Sequence, residues 1–255
     1  MTMLRIAYQP GNTVLHELHP LVKSAWLVAG TVLLFAVHSP WFVLGVLALL
    51  LLAFRLARLP LGKVRGTRLI LTTALVLAAL QVAFVRQGVA LVEIGPLTLT
   101  SGGIEMAIYV SGRFAGVVLL SYLYVMSTDP NKLAYGLMQA GVPYRYGFAL
   151  ITALRLVPIF EQEGRIVYNA QLARGVRYDT RSLRRFLTLA RQFTMPLLVS
   201  ALGKADTLAV AMEGRCFGKH PTRTFLRTVR TRRSDWIALL VLLVTIAAMV
   251  GYSIR

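Results

Sequence analysis

The chain has 255 residues, of which 56% are hydrophobic and 15% charged, and the lengths of its uncharged runs decide between a soluble domain and a membrane protein. Its single cysteine excludes an intramolecular disulfide and a metal cluster of several cysteines. The net charge of +18 suits nucleic acid, but 18 of the 28 basic residues lie between residues 127 and 234, beside the apolar runs. That placement is typical of a region close to anionic lipid headgroups, so we expect a lipid bilayer and no nucleic acid as partner.

The N-terminal half contains the longest uncharged run, 31 residues between Lys23 and Arg55. One helix of that length would extend about 46 Å, whereas a hydrocarbon core is about 30 Å thick. The sequence "HSPW" interrupts the run, so we predict two short spans that turn at Ser39-Pro40. The alternative, a single tilted helix, would reverse the topology of the segments that follow.

Three further spans are predicted along the chain. The first is the 17-residue uncharged run Leu69–Val85, and the last is the 19-residue run Trp236–Ile254. Between them lies Ile104–Met126, where Gly112 and Gly116 form a small-xxx-small face that suits close helix packing.

Arg113 interrupts the span Ile104–Met126. We interpret it as a snorkelling or paired side chain, and the alternative is a charge on a substrate path.

Basic residues set the orientation. The loop "RLARLPLGKVRGTR" carries five basic residues, whereas "GVALVEIGPLTLTSGG" carries none. Because cytoplasmic loops are enriched in Lys and Arg, the first loop is expected inside and the second outside. Arg5 and Lys23 also precede the first span. The N-terminus is therefore predicted to be cytoplasmic.

The basic region predicts long helices that do not cross the membrane. "STDPNKLAYGLMQAGVP" has the start and stop signals of a short amphipathic helix. A second helix is expected from about Tyr146 to Arg174 and a third from about Ser182 to Arg215, and each contains a proline. Arg155 interrupts the second helix, and only 12 uncharged residues separate Arg191 from Lys204 in the third. Their apolar faces are thus expected to be covered by other protein or by the membrane interface.

Both long helices end on a similar pattern. "AQLARG", ending at Gly175, recurs 41 residues later as "AMEGRC". Small neighbours leave an arginine exposed at a helix end, and Gly175 can adopt the left-handed conformation that ends helices. A guanidinium in that position suits a carboxylate on a partner protein. One copy alone would be an ordinary helix cap, and the presence of two favours a function.

The chain resembles the transmembrane coupling subunit, or T component, of energy-coupling factor transporters, which are vitamin and metal-ion importers of prokaryotes. The resemblance covers most of the chain. It rests on an ordered set of segments: "NTVLHELHPLVK", "STDPNKLAYGLMQAGVPYRY", "LRLVPIFEQEGRIVYNAQLARG", and "AMEGRCFG" followed by a basic stretch and a last apolar span.

The resemblance implies an all-α polytopic membrane protein with about five transmembrane helices and a cytoplasmic domain of long crossed coupling helices. Residues 1–127 would form the N-terminal membrane domain with about four of these helices. Residues 128–234 would form the coupling-helix domain, and residues 235–255 the C-terminal transmembrane helix. The protein would lie in a prokaryotic cell membrane.

The resemblance also implies partners. Two ABC-type ATPase subunits, identical or different, would bind ATP and Mg and would contact this chain at Ala173, Arg174, Gly175, Gly214, Arg215 and Cys216. Gly and Cys in the second copy replace the usual Ala and Gly or Ser, so a less regular helix end is expected there. His19 stands where the family usually has Asp.

A substrate-binding membrane subunit, the S subunit, would rest on the apolar faces of the same two helices. The expected contacts are Leu154, Pro158, Phe160, Phe193, Pro196, Leu197 and Leu202.

No catalytic group is predicted in this chain. None of the three Gly-Lys pairs has the spacing of a phosphate-binding loop, so we expect no ATP hydrolysis and no cofactor. His16 and His19 lie three residues apart without a third ligand nearby, and we expect no metal site.

Two other functions remain as alternatives. A self-contained secondary transporter or channel would line its path with Arg113 and Glu105. A membrane-tethered nucleic-acid binder would use the basic residues. Neither explains why two helices end on the same arginine pattern.

Overall fold

The computed structural model describes residues 8–9, 11, 13–37, 39–57, 59, 66–94, 97–176, 178, 182–220, 224–225 and 228–253. The helices in this part of the chain are α1 (Val14–Glu17), α2 (Pro20–Ala36), α3 (Pro40–Leu56), α4 (Gly66–Phe84), α5 (Ser101–Ser127), α6 (Pro130–Gln139), α7 (Tyr144–Ala173), α8 (Leu183–Glu213) and α9 (Arg233–Ser253). The helical membrane fold is thus confirmed.

One element was not predicted from the sequence. Strands β1 (Ala90–Ile94) and β2 (Leu97–Thr100) pair antiparallel between α4 and α5. Ile94 pairs with Leu97, and the register shifts between Ala90 and Val92. The loop that carries no basic residues is therefore a hairpin.

The chain divides into two compact units. The first comprises Met1–Gly136 and Val229–Arg255, and the second Leu137–Thr228. The last helix therefore belongs to the same unit as α2 to α5. The placement of the second unit in the cytoplasm stays a prediction.

Two helices, not one, fill the longest uncharged run. α2 and α3 have 17 residues each, and Pro40 stands in the first turn of α3, where its missing N–H leaves no hydrogen bond unmade. The predicted turn at Ser39-Pro40 is confirmed.

Length and composition alone admit three described helical segments as membrane spans: Thr67–Phe84, Ser101–Ser127 and Arg184–Glu213. The third corresponds to α8, which the sequence places outside the bilayer because of its charges. Lys204 of α8 forms an ion pair with Glu163 of α7, which favours a setting against protein over one in lipid.

Helix α5 packs closely against its neighbours in the first unit. A Cβ atom added at Gly112 would lie 2.6 Å from Cγ1 of Val43 in α3, and one added at Gly116 would lie 3.1 Å from Cδ1 of Leu34 in α2. Val43 and Leu34 are fully buried. The predicted small-residue face is therefore the contact surface of α5 with α2 and α3.

Arg113 is a paired side chain, as the sequence suggested. Its Nε donates to the carbonyl oxygen of Leu34 at 2.9 Å, and its Nη2 donates to that of Phe35 at 3.2 Å. The guanidinium also lies over the rings of Phe35 and Tyr109. It thereby satisfies carbonyls at the C-terminal end of α2, where helices leave acceptors unpaired.

Buried polar groups join the two ends of the first unit. Lys23 Nζ donates to the carbonyl oxygen of Ser127 at 2.7 Å, at the end of α5. Oδ1 of Asp235, which is 2% exposed, accepts from the backbone N–H of His19 at 2.7 Å. Nδ1 of His19 in turn accepts from the N–H of Leu21 and caps α2. His19 thus performs a capping role that an Asp also performs.

Candidate functional site

Helices α7 and α8 form an antiparallel pair. Nε2 of Gln171 donates to the carbonyl oxygen of Gln192 at 3.3 Å, and Glu163 meets Lys204 at 2.6 Å. Tyr144, at the start of α7, donates its hydroxyl to the carbonyl oxygen of His220, beyond the end of α8. As residue numbers rise along α7, those of the contacted residues on α8 therefore fall. The C-terminal ends of the two helices lie at opposite ends of the pair.

The first arginine motif is a Schellman turn. The N–H of Val176 donates to the carbonyl oxygen of Gln171 at 3.1 Å, and the N–H of Gly175 donates to that of Leu172 at 2.9 Å. Gly175 has a φ of +81°, which glycine adopts without a steric penalty. Arg174 is thereby fixed as the C-cap residue, one position before the chain reverses.

The second motif repeats this hydrogen-bond pattern, shifted by 41 positions. The N–H of Phe217 donates to the carbonyl oxygen of Met212, and the N–H of Cys216 donates to that of Glu213, both at 2.9 Å. Cys216 takes the left-handed position with a φ of +52°. The expectation of a less regular helix end is wrong, because backbone bonds, which any residue can make, define the turn. Arg215 occupies the place of Arg174.

Both motifs face solvent. All six predicted contact residues are exposed: Ala173, Arg174, Gly175, Gly214, Arg215 and Cys216. Neither arginine has an ion pair or side-chain hydrogen bond to any residue that the structure describes. The two guanidinium groups, at opposite ends of one helix pair, are thus available to a partner.

Aromatic packing holds the second turn against the start of α7. The ring of Phe217 lies 4.6 Å from that of Phe148 and 5.5 Å from that of Tyr144, between centroids. Nη2 of Arg145 also donates to the carbonyl oxygen of Gly218. The sequence reasoning missed these residues, although an aromatic residue directly after the motif was a signal for such an anchor.

The apolar residues predicted to contact an S subunit fall into two groups. Leu154, Phe160, Phe193 and Leu197 are half-buried, whereas Pro158, Pro196 and Leu202 are exposed. The second unit also exposes apolar side chains that the sequence reasoning did not single out: Val157, Met195, Leu198, Val199 and Val210. The accessible apolar surface is therefore centred on the exposed group and these neighbours.

The two N-terminal histidines have local structural partners. Nδ1 of His16 lies 2.6 Å from the hydroxyl of Thr13, and burial, followed by the charge of Lys23, lowers the pKa of His16. Among the described residues no three His, Cys, Asp or Glu side chains are placed to hold a metal ion. That the chain binds no metal stays a prediction.

These features define the class: a helical membrane protein with an additional unit built on two long antiparallel helices. A family model described as "CbiQ: Cobalt transport protein" matches residues 11–225. The chain therefore belongs to the CbiQ family and is a T component of the energy-coupling factor type.

Curated relatives match over nearly the whole chain. The energy-coupling factor transporter transmembrane protein EcfT of Limosilactobacillus fermentum is 31% identical over 247 residues, which cover 93% of this chain and 92% of the relative. EcfT of Streptococcus equi is 29% identical, with 93% and 91% covered. A putative ABC transporter ATP-binding protein, BL0043 of Bifidobacterium longum, is 28% identical over 95% of this chain. The match spans only 32% of that longer protein.

Proposed function

We propose that this T component transmits ATP-driven motion from two ABC-type ATPase subunits to a substrate-binding membrane S subunit, for uptake of a vitamin or metal ion. One observation carries the proposal. Two exposed arginines, Arg174 and Arg215, occupy the same position in matching Schellman turns at opposite ends of one helix pair. Two equivalent attachment points suit a partner that consists of two similar subunits.

The chemistry of the tips supports protein attachment. A guanidinium offers five donors in a planar fork and stays charged at all physiological pH values, so it binds a carboxylate or a set of backbone carbonyls with fixed geometry. The small residues on either side of each arginine allow close approach of a partner backbone. A cytoplasmic orientation follows from the basic residues of this region and places the tips on the side where ATP is available.

The relative from Bifidobacterium longum supports an ATPase partner. A protein named for ATP binding contains a stretch similar to almost the whole of this chain, and about two thirds of its length lies outside the match. We infer that the corresponding ATPases are separate subunits here. ATP and Mg would bind to them, and this chain would hold neither cofactor nor catalytic group.

The exposed apolar side chains of α7 and α8 would support the S subunit. Val157 is 58% exposed, Val199 70% and Leu202 65%, which is unusual for side chains of this type unless another apolar surface covers them. A membrane partner resting on both helices would follow any change in the angle between them.

Charge reversal at both tips tests the proposal. In membranes that contain all subunits, Arg174→Glu/Arg215→Glu is expected to abolish co-purification of the ATPases and ATP-driven uptake, because a carboxylate would repel the acidic or carbonyl-lined site that holds a guanidinium. The matched control is Arg165→Glu/Arg191→Glu, which makes the same charge change at exposed positions on the sides of α7 and α8.

Wild-type uptake by the tip variant would refute the proposal. Equal loss in tip and control variants would also refute it, since general charge would then explain the attachment.

A further inference from the structure

An ion pair joins α7 and α8 inside the helix pair. Nζ of Lys204 lies 2.6 Å from Oε1 of Glu163, and the hydroxyl of Ser200 donates to Oε2 of the same carboxylate. The Glu163 side chain is 25% exposed and that of Lys204 35%. The hydrogen bonds from Lys204 and then Ser200 hold the pKa of Glu163 below its usual value. The carboxylate is therefore charged at neutral pH and uses both of its oxygens to hold α8.

The ion pair lies midway between the two arginine tips. Glu163 precedes Arg174 by 11 residues, and Lys204 precedes Arg215 by 11 residues. Eleven residues make about three helical turns and about 16.5 Å, so each tip lies at the end of an arm of the same length and the same rotational phase. Because the helices are antiparallel, the arms extend in opposite directions from the ion pair.

The other contacts of the pair hold it less firmly at the centre. Gly164 faces the edge of Phe193, and a Cβ added there would still lie 3.6 Å from Cζ of Phe193. Gln171 makes a neutral hydrogen bond of 3.3 Å to Gln192. Charge-assisted hydrogen bonds are roughly twice as strong as neutral ones. Among the described residues, the strongest attachment between the helices is therefore the central one.

A single strong central attachment has a mechanical consequence. If one helix slid along the other by one residue, the Nζ to Oε1 distance would grow by about 1.5 Å and the bond would break. Rotation of the helices about the ion pair leaves that distance unchanged. The arrangement opposes sliding and permits a change of angle.

We propose that Glu163, Lys204 and Ser200 form the pivot about which α7 and α8 change their angle when force acts on the two tips. Glu163 and Lys204 are positioning residues, which keep the two arms equal, and this role rests on the function proposed above. An uncharged pivot would let the helices slip, so that ATP hydrolysis would move the tips without moving the apolar surface.

The test uses the complete transporter in proteoliposomes. Glu163→Gln and Lys204→Gln are each expected to retain the ATPases and the S subunit but to lower uptake per ATP hydrolysed by between about twofold and thirtyfold. The exchange Glu163→Lys/Lys204→Glu restores the ion pair with reversed polarity and is expected to restore uptake per ATP. Arg165→Gln, which removes the exposed Glu161–Arg165 pair on the same helix, is the matched control and is expected to behave as wild type.

Three results would overturn the pivot. Wild-type uptake per ATP in both single variants would show that the ion pair transmits nothing. Loss of ATPases from the single variants would show a purely structural role, and failure of the assembled exchange variant to recover would show that pairing is not what matters. Absence of ATPases from the wild-type complex is a different outcome, which refutes the proposed function itself and the pivot with it.

Discussion

A single residue type explains why the two helix ends look alike. A C-cap residue followed by a left-handed residue points its side chain away from the helix, because the chain reverses directly after it. Arg174 and Arg215 both stand in that position, before Gly175 and Cys216 respectively. The backbone thus presents each guanidinium without any contact from the rest of the described chain.

Cys216 offers a prediction at this scale. A non-glycine residue in the left-handed region costs about 1–2 kcal/mol, and an added hydrogen in place of the side chain removes that cost. Cys216→Gly is therefore expected to raise the free energy of unfolding by about 1 kcal/mol and to leave ATPase attachment intact, measured by thermal unfolding of the purified chain and by co-purification. Cys216→Ser keeps the Cβ and should unfold with the wild type. Equal stability of the Gly and Ser variants would contradict this account.

The sequence predicted the arginines but not their supports. Arg174 and Arg215 follow from the local sequence alone, since small neighbours and a helix stop are visible in the printed letters. Phe217 and Glu163 act through residues 69 and 41 positions away, Phe148 and Lys204 respectively. Such pairs require knowledge of which helix faces meet, and single-helix periodicity does not provide it.

At the scale of elements, close packing of α5 on α3 depends on one missing methyl group. The Cβ of an alanine at Gly112 would lie 2.6 Å from Cγ1 of Val43, which is fully buried and has little room to move. Gly112→Ala is expected to destabilise the protein by about 1–3 kcal/mol, measured as a lower thermal midpoint in detergent. Gly45→Ala on α3 is the control, since nothing lies within 4 Å of an added Cβ there. A Gly112→Ala midpoint at or above that of Gly45→Ala would exclude the packing argument.

The elements themselves were largely predictable. Uncharged runs gave α2 to α5 and α9, because a membrane helix must be apolar along its whole length. The β1–β2 hairpin was missed because the segment was examined only for its lack of basic residues. The charges on α8 argued against a span, although its length and hydropathy satisfy a composition criterion; its antiparallel pairing with α7 provides the cover that its apolar residues need.

At the scale of the whole molecule, the proposed motion predicts a distance change. Spin labels at Asn169 and Val210, 41 residues apart and both exposed, report on the two arms. In a Cys216→Ser background and with all subunits present, ATP is expected to shift the label-to-label distance measured by pulsed electron paramagnetic resonance, because closing ATPases move both tips.

A label pair within α8, at Phe186 and Val210, is the control for this experiment. Its separation of about 36 Å is expected to stay constant, since both labels ride on one helix. An ATP-independent distance between Asn169 and Val210 would exclude a change of angle between α7 and α8.

The shared interval of 41 residues bears on the origin of the protein. Backbone caps, arginines and the two halves of the central ion pair all recur at that one interval, although the side chains between them differ. This is the pattern left by tandem duplication of an ancestral helix followed by divergence. An ancestor with one such helix would have needed to pair with a second copy of itself, and fusion of the two made it possible for each half to specialise toward a different ATPase.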